Sequence, residues 1–269
     1  MGNAREGSEL PTQLQSRPRP SEARSDGDGV VLERVSRSYR DRRGAPVPAL
    51  SAVSLHAAAG EVLAVVGPSG CGKSTLLELI CELQKPDAGT IRTDPAALMP
   101  QRDALLPWLN AIDNAALALR ARGCSRAEAR ERTAPWLERF GLIEFAFARP
   151  DELSGGMRQR ISFLRSLLAG KPVLALDEPF ASLDAITRAQ MQGWLGHVLE
   201  GEPRTVVLVT HDVEEAVLLG DRVAILSPRP GRVIEELEVD SPRPRSRTDA
   251  RIVGLRERAL QVLGLGAPA

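Results

Sequence analysis

The sequence predicts an α/β fold, and three observations carry that expectation. An apolar run, Val62-Leu63-Ala64-Val65-Val66, enters the glycine-rich stretch Gly67-Pro68-Ser69-Gly70-Cys71-Gly72-Lys73-Ser74-Thr75, and a second apolar run from Leu76 to Ile80 leaves it, in the order strand, loop, helix. Two later runs, Val173-Leu174-Ala175-Leu176 and Thr205 to Thr210, are apolar throughout, as parallel strands buried on both faces require. Between loop and later strands lies a segment rich in Ala, Leu, Arg and Glu, Arg102 to Pro150, which reads as helices inserted into the strand pattern.

Composition narrows the classes. At 269 residues, 43% of them apolar, the chain can bury a substantial core. Lys and Arg total 35 and so do Asp and Glu, so no broadly basic surface is available and non-specific nucleic-acid binding is disfavoured. Cys71, Cys81 and Cys124 are odd in number and widely spaced, which fits a reducing cytosolic compartment better than a disulfide framework. No apolar run approaches the roughly 18 residues of a membrane span, and Met1 to Gln15 lacks a signal peptide's apolar core. The expectation is a chain neither secreted nor self-inserting.

Taken in order, residues 1–28 are rich in Pro, Ser, Gly, Arg and Glu and are expected to form a disordered tail. Strands are expected from Val30 through Tyr39 and from Val53 to His56, paired antiparallel across the turn Asp41-Arg42-Arg43-Gly44. Pro86-Asp87-Ala88-Gly89-Thr90 reads as a turn, and Leu98 to Gln101 closes a short apolar piece. In the helical segment Ser125 and Glu128 have capping-box spacing, Gly141 is a stop, and Pro135 predicts a kink or break. Trp108, Trp136, Phe140, Phe145 and Phe147 are expected to supply most of a small core there, with Leu105 to Trp108 partly open to a partner. Helices are expected from Met157 to Leu168 and from Asp184 to Leu199, and strands from Arg222 to Leu226 and Arg232 to Val239. A basic Pro-Arg linker and a short amphipathic helix using Ile252, Leu255, Leu260 and Leu263 end the chain.

The glycine loop has the spacing of a P-loop. Its glycines let successive backbone N–H groups turn inward around an anion, and the following helix adds its positive dipole end. Lys73 reaches the β and γ phosphates, and the Ser74 hydroxyl is placed for Mg²⁺. A second anion site of the same kind, hydroxyl plus N–H groups at a helix start, is offered by Ser154-Gly155-Gly156. Asp177 and Glu178 end one buried strand and His211 the next, where parallel sheets bind ligands. Tyr39 leaves two readings open, a ring stacked on adenine or a half-buried strand tyrosine.

The phosphate loop, Gln101, Leu153-Ser154-Gly155-Gly156-Met157-Arg158-Gln159-Arg160, Leu176-Asp177-Glu178-Pro179, Ser182-Leu183-Asp184 and Thr210-His211-Asp212 together resemble the ATP-binding subunits of ABC transporters, from about Val30 to Val239. The resemblance implies a P-loop NTPase (ABC ATPase) core at residues 29–240. That core would carry an antiparallel β subdomain and an inserted helical subdomain near 102–165, with linker and helix at 241–269. It implies ATP and Mg²⁺ as ligands, with the ion held by Ser74, Gln101 and Asp177. Glu178 would orient or deprotonate the attacking water, or alternatively serve as an outer metal or salt-bridged carboxylate; His211 would be the switch histidine and Gln101 the Q-loop glutamine. Tyr39 would take the adenine, with a cation or apolar contact as its alternative. Ser154, Gly155 and Gly156 would complete the site of a second copy in a head-to-tail dimer, with Asp184 as the D-loop residue crossing the interface.

Finer features, Leu105-Leu106-Pro107-Trp108-Leu109, Asp113-Asn114, Asp184 to Arg188 and Ser227 to Arg232, resemble importer ATPases of the nitrate, aliphatic sulfonate and taurine group; cassettes for thiamine precursors look similar. Arg102 and Asp151 depart from that group, which more often has Glu and His there. The resemblance implies separate membrane permease subunits, a solute-binding protein acting indirectly, no nucleic-acid partner, and a peripheral place on the cytoplasmic membrane face. The competing reading, a soluble ABC ATPase acting on ribosomes or DNA, would bring tandem cassettes or a long coiled-coil insertion; this chain has neither.

Overall fold

The structure, a computed structural model, describes residues 29–181, 183–201 and 204–265; the tail expected at 1–28 and Ser182 lie outside the described residues. In chain order the elements are β1 (Val30–Arg40), β2 (Pro46–Ala57), β3 (Val62–Val66), α1 (Lys73–Ile80), β4 (Ala88–Thr93), β5 (Ala96–Met99), α2 (Ala111–Ala115), α3 (Leu117–Ala121), α4 (Arg126–Arg139), α5 (Gly155–Leu167), β6 (Val173–Asp177), α6 (Ala185–Gly201), β7 (Thr205–Thr210), α7 (Val213–Leu219), β8 (Arg222–Leu226), β9 (Val233–Glu238) and α8 (Ala250–Val262).

Two sheets result. One is antiparallel, in the order β2-β1-β4; the other runs β5-β6-β7-β3-β8-β9, parallel except for the β9 edge. Alternate residues of the parallel strands feed opposite faces, as the two-residue period demands. Val62, Ala64, Val66, Leu174, Leu176, Val206 and Leu208 pack with Ile161 and Phe163 of α5 and with α7 and α8. Leu63, Val65, Val173, Ala175, Val207 and Val209 pack with α1 and the antiparallel sheet. Burial on both faces explains why these strands are apolar at every position.

The expected turn at Pro86 to Thr90 is instead the entry to β4, whose Thr90 pairs with Glu33 of β1. Pro135 does not interrupt α4. Pro135 and Glu131 are both exposed, so water can satisfy the carbonyl that loses its N–H partner. Ser125 caps α4 through the Glu128 N–H, 3.2 Å, but the Glu128 carboxylate pairs with Arg132 rather than reaching back. The aromatic core expected among these helices is mostly absent. Phe140 is buried and Trp136 half-buried, whereas Trp108 and Phe147 are 69% and 71% exposed.

The turn between β8 and β9 closes over the glycine loop. Gly231 donates to Ala49 O and accepts from Ser51 N, and a Cβ there would stand 2.2 Å from the Cys71 carbonyl oxygen. Only glycine permits that approach. Gly231→Ala is expected to cost about 1–3 kcal/mol as an overpacked contact and, by displacing Cys71, to weaken nucleotide binding. A melting temperature and nucleotide affinity both equal to wild type would show that the turn moves freely.

Candidate active site

The strand order brings the expected residues to one edge. Gln101 follows β5, Asp177 ends β6, Glu178 follows it, His211 follows β7, and the glycine loop follows β3. Because β7 lies between β6 and β3, with Asp177 beside Val209 and Thr210 beside Val66, these groups arrive level with one another at the carboxyl ends of the strands.

The glycine loop is held from within. Gly72 precedes α1 at φ +107°, and a Cβ there would meet Leu50 Cδ2 at 2.6 Å and Ala49 O at 2.8 Å. Lys73 is buried and its Nζ donates to Gly67 O at 2.7 Å and Pro68 O at 3.1 Å, so the ammonium lies inside the curl of the loop. Pro68, Ser69, Gly70 and Ser74 face solvent, while Cys71 is buried and its thiol is pushed up by burial. Thr75 is within 3.1 Å of the Tyr39 hydroxyl.

Glu178 is the meeting point. Its Oε2 accepts from Gln101 Nε2 at 3.2 Å and lies 3.2 Å from His211 Nδ1. Its backbone stands at φ +47°, a left-handed conformation that costs a non-glycine residue about 1–2 kcal/mol, and its N–H donates to Val209 O at 2.9 Å. Asp177 is buried beside it. Burial pushes that carboxyl up, the Ser74 hydroxyl bonded to it pulls the other way, the Glu178 charge raises it and the Lys73 charge lowers it.

These donors fit MgATP. The loop with its inward ammonium is a phosphate cradle, and Ser74, Asp177 and Gln101 offer the oxygen ligands a hard divalent cation prefers. Among the described residues no three His, Cys, Asp or Glu side chains form a cage of their own, so a cation here relies on phosphate oxygens and water as well.

Tyr39 is half-buried on β1. The Arg37 guanidinium lies 5.4 Å from the ring centroid and the Gln84 amide donates to the hydroxyl at 2.9 Å. Neither neighbour was evident in the sequence, because Gln84 is 45 residues away and Arg37 contacts the ring only once the strand forms.

Ser154, Gly155 and Asp184 stand apart and exposed. Ser154 caps α5 by accepting from Met157 N at 3.2 Å, and no hydrogen bond or ion pair among the described residues joins the 154–156 segment to the glycine loop, Asp177 or Glu178. Asp184 Oδ1 accepts from Ile186 N and Thr187 N, bonds that with the Thr187 hydroxyl hold its carboxyl below the usual range. Sequence reasoning missed Asp103. Its carboxylate accepts from Arg158 Nε at 2.9 Å, and Arg165 donates to the Asp103 and Ala104 carbonyls, both at 2.8 Å. The segment carrying Gln101 is thereby tied to α5; an Asp two residues after the glutamine was the available signal.

Fold and site together define an ABC-type ATPase. A profile of the ABC transporter family matches residues 50–181. The formylaminopyrimidine import ATP-binding protein ThiZ of Halalkalibacterium halodurans is 43% identical over 213 residues, 78% of this chain and 84% of the relative. The taurine import ATP-binding protein TauB of Chromobacterium violaceum is 41% identical over 249 residues, 86% and 94%. The ATP-binding cassette MJ0796, solved as a dimer in a post-hydrolysis state bound to ADP and Pi, superposes with a TM-score of 0.72 at 31% identity, covering 79% of this chain and 99% of that one. The chain belongs to the ABC transporter ATP-binding family, and it is an ATPase.

One buried acid lies just beyond the site. Glu215 of α7 is buried, and burial together with the Asp212 charge pushes it up to about 8, against the pull of the Thr210 hydroxyl, Arg188 and Gln192. Folding therefore favours its protonated form. That contribution is complete below about pH 4.5, the unfolded value, and is lost as pH rises through about 8. Glu215→Gln, neutral at every pH, should flatten the fall in melting temperature between pH 5 and 8; equal slopes in the two proteins would place the proton elsewhere.

Proposed function

We propose that this chain is the ATP-hydrolysing subunit of an importer, acting as a head-to-tail dimer on separate membrane permease subunits at the cytoplasmic face of the membrane. The observation that carries the reading is the convergence of Gln101 and His211 on one oxygen of Glu178, next to the Asp177 and Ser74 pair. Ser74, Asp177 and Gln101 would hold Mg²⁺, which neutralises charge on the phosphate oxygens when bound with ATP. Lys73 and the loop N–H groups hold the phosphates in line for attack. The Glu178 carboxylate takes a proton from water as the water oxygen bonds to the γ-phosphorus and the bond to the β-phosphate oxygen breaks, giving ADP and phosphate. His211 and Gln101 position water and γ-phosphate, and Tyr39 takes the adenine once Arg37 yields the ring face.

Ser154, Gly155 and Gly156 complete the site of the second copy, with Asp184 at the interface. The exposure of Ser154, Gly155 and Asp184 supports that role, as does the 74% exposed Ile186 beside Asp184. Among the described residues no helix is long and apolar enough to cross a membrane, in keeping with a separate permease. The two relatives carry names for taurine and formylaminopyrimidine import at nearly equal identity, so the cargo is read as a small solute of the nitrate, sulfonate, taurine or thiamine-precursor kind, delivered by a solute-binding protein.

Glu178→Gln keeps the shape and removes the base. Turnover should fall by roughly 10²–10⁴-fold while MgATP binding persists and an ATP-bound dimer accumulates on size exclusion; near-normal turnover would remove Glu178 from this role. With the permease reconstituted in liposomes, the true cargo should stimulate ATP hydrolysis. Silence toward all four solute kinds would overturn the solute reading.

A further inference from the structure

The extension after β9 is bound to the helix that follows His211. Its sequence Arg243-Pro244-Arg245-Ser246-Arg247 places an arginine at every second residue of a bent, irregular segment. Each has a specific partner. The Arg243 guanidinium forks onto both oxygens of Asp221, which also accepts from Val62 N at the start of β3, 3.0 Å. The Arg245 side chain is 1% exposed and donates to the Val217, Leu218 and Gly220 carbonyls, satisfying groups that the end of α7 leaves without helical partners. Its remaining N–H groups reach Ser241 O and Val239 O.

The third arginine reaches the other end of α7. Arg247 Nη2 donates to Gln192 Oε1 at 3.0 Å, and Gln192 Nε2 donates to Glu215 Oε2 at 3.5 Å. The Thr210 hydroxyl lies beside the Glu215 carboxyl and pulls its pKa down, Thr210 is the residue before His211, and Thr210 Oγ1 accepts from Asp212 N at 3.0 Å. Arg247 and Arg256 both pair with Glu214, at 3.7 and 3.5 Å, and Ile252 and Ala259 of α8 are buried in the core that includes α7. The polar path runs from the extension to both residues that flank His211.

We infer that residues 241–263 are a positioning element for His211, with Arg245 fixing the far end of α7 and Arg247 acting through Gln192 and Glu215 on the near end. The inference rests on the reading of His211 as the switch residue. The expected consequence is kinetic. Loosening this path lets the imidazole leave Glu178 without disturbing the glycine loop, so turnover changes and ATP affinity does not.

The test compares full-length wild type with Arg247→Ala, Arg247→Lys, His211→Ala and the Arg247→Ala/His211→Ala double variant, measuring kcat, KM for ATP, melting temperature and hydrogen exchange over 210–219. Arg247 is half-exposed and its ion pair contributes little to stability, so the variant should fold. Arg247→Ala should lower kcat about 2- to 30-fold, leave KM and melting temperature near wild type, and speed exchange at 210–215. Arg247→Lys should recover part of the loss, and the double variant should be no slower than His211→Ala. An unchanged kcat in Arg247→Ala, or losses that multiply in the double variant, would overturn the inference while leaving the role of His211 standing. Normal turnover in His211→Ala would instead sink that role, and this inference with it.

Discussion

Everything at the nucleotide site depends on the parallel pairing of β7 with β3 on one side and β6 on the other. Parallel strands in register end at the same level, so three loops that are far apart in sequence leave the sheet side by side. The same pairing forces each strand to be apolar on both faces along its middle, which leaves polar residues to the strand ends and the positions just beyond them. Asp177, Glu178, Thr210 and His211 occupy those positions. A one-residue slip of β7 would exchange its faces, putting Val207 and Val209 among the partners of Val206 and Leu208. Two differently shaped cores hold the register, and the register holds the chemistry.

At Glu178 the backbone is held in a conformation it would not choose alone, and the hydrogen bond from its N–H to Val209 O is one of the restraints. The cluster around its carboxylate has a mechanical side. Gln101 lies on an exposed segment whose next residues are gripped by Arg158 and Arg165 of α5, the helix that starts at Ser154. A displacement that withdraws Gln101 from Glu178 therefore bears on the helix whose N-terminus holds Ser154, Gly155 and Gly156. Contact at one carboxylate and the orientation of a distant helix N-terminus are linked through two guanidinium groups.

The glycine loop, the strands before Glu178 and His211, and α5, expected to begin at Met157 and found to begin at Gly155, were legible because their signals are local: glycine spacing, continuous apolar runs, a periodic helix after a Ser-Gly-Gly stretch. What was illegible depended on partners distant in sequence. Ala88 to Thr93 has the composition of a turn, and it becomes a strand because β1, more than 50 residues earlier, offers an edge and Gly89 can pass 2.5 Å from the Arg34 carbonyl oxygen at the position of a Cβ. α7 was missed although Asp212, Glu214 and Glu215 are good first-turn residues, because seven residues give too few turns for a period to show. Phe147 was assigned to a core on hydrophobicity alone, whereas Trp108 stays exposed, as the Leu105 to Trp108 expectation allowed; the neighbouring helices bury Ala111, Ala115 and Leu137 instead. The role of the 243–247 arginines was unreadable because charge at alternate residues looks the same whether it faces water or a helix end.

The site divides sharply by exposure. Lys73 and Asp177 are buried, whereas Pro68 to Gly70, Ser74, Gln101 and His211 face solvent. The charged floor is thus already desolvated and the reacting side is still wet. Fixed dipoles stabilise developing charge best where water is excluded, so the wet side needs a cover. Among the described residues, Gln101 and His211 at the strand ends stay exposed. The chain carries, elsewhere on its surface, an exposed serine and glycine pair at a helix start and an apolar Ile186 beside Asp184. In the proposed head-to-tail dimer such a surface would face the γ-phosphate of a second copy, and two copies would each dry the other's site. In that arrangement hydrolysis is controlled by closure, since neither chain alone places all the groups around one phosphate.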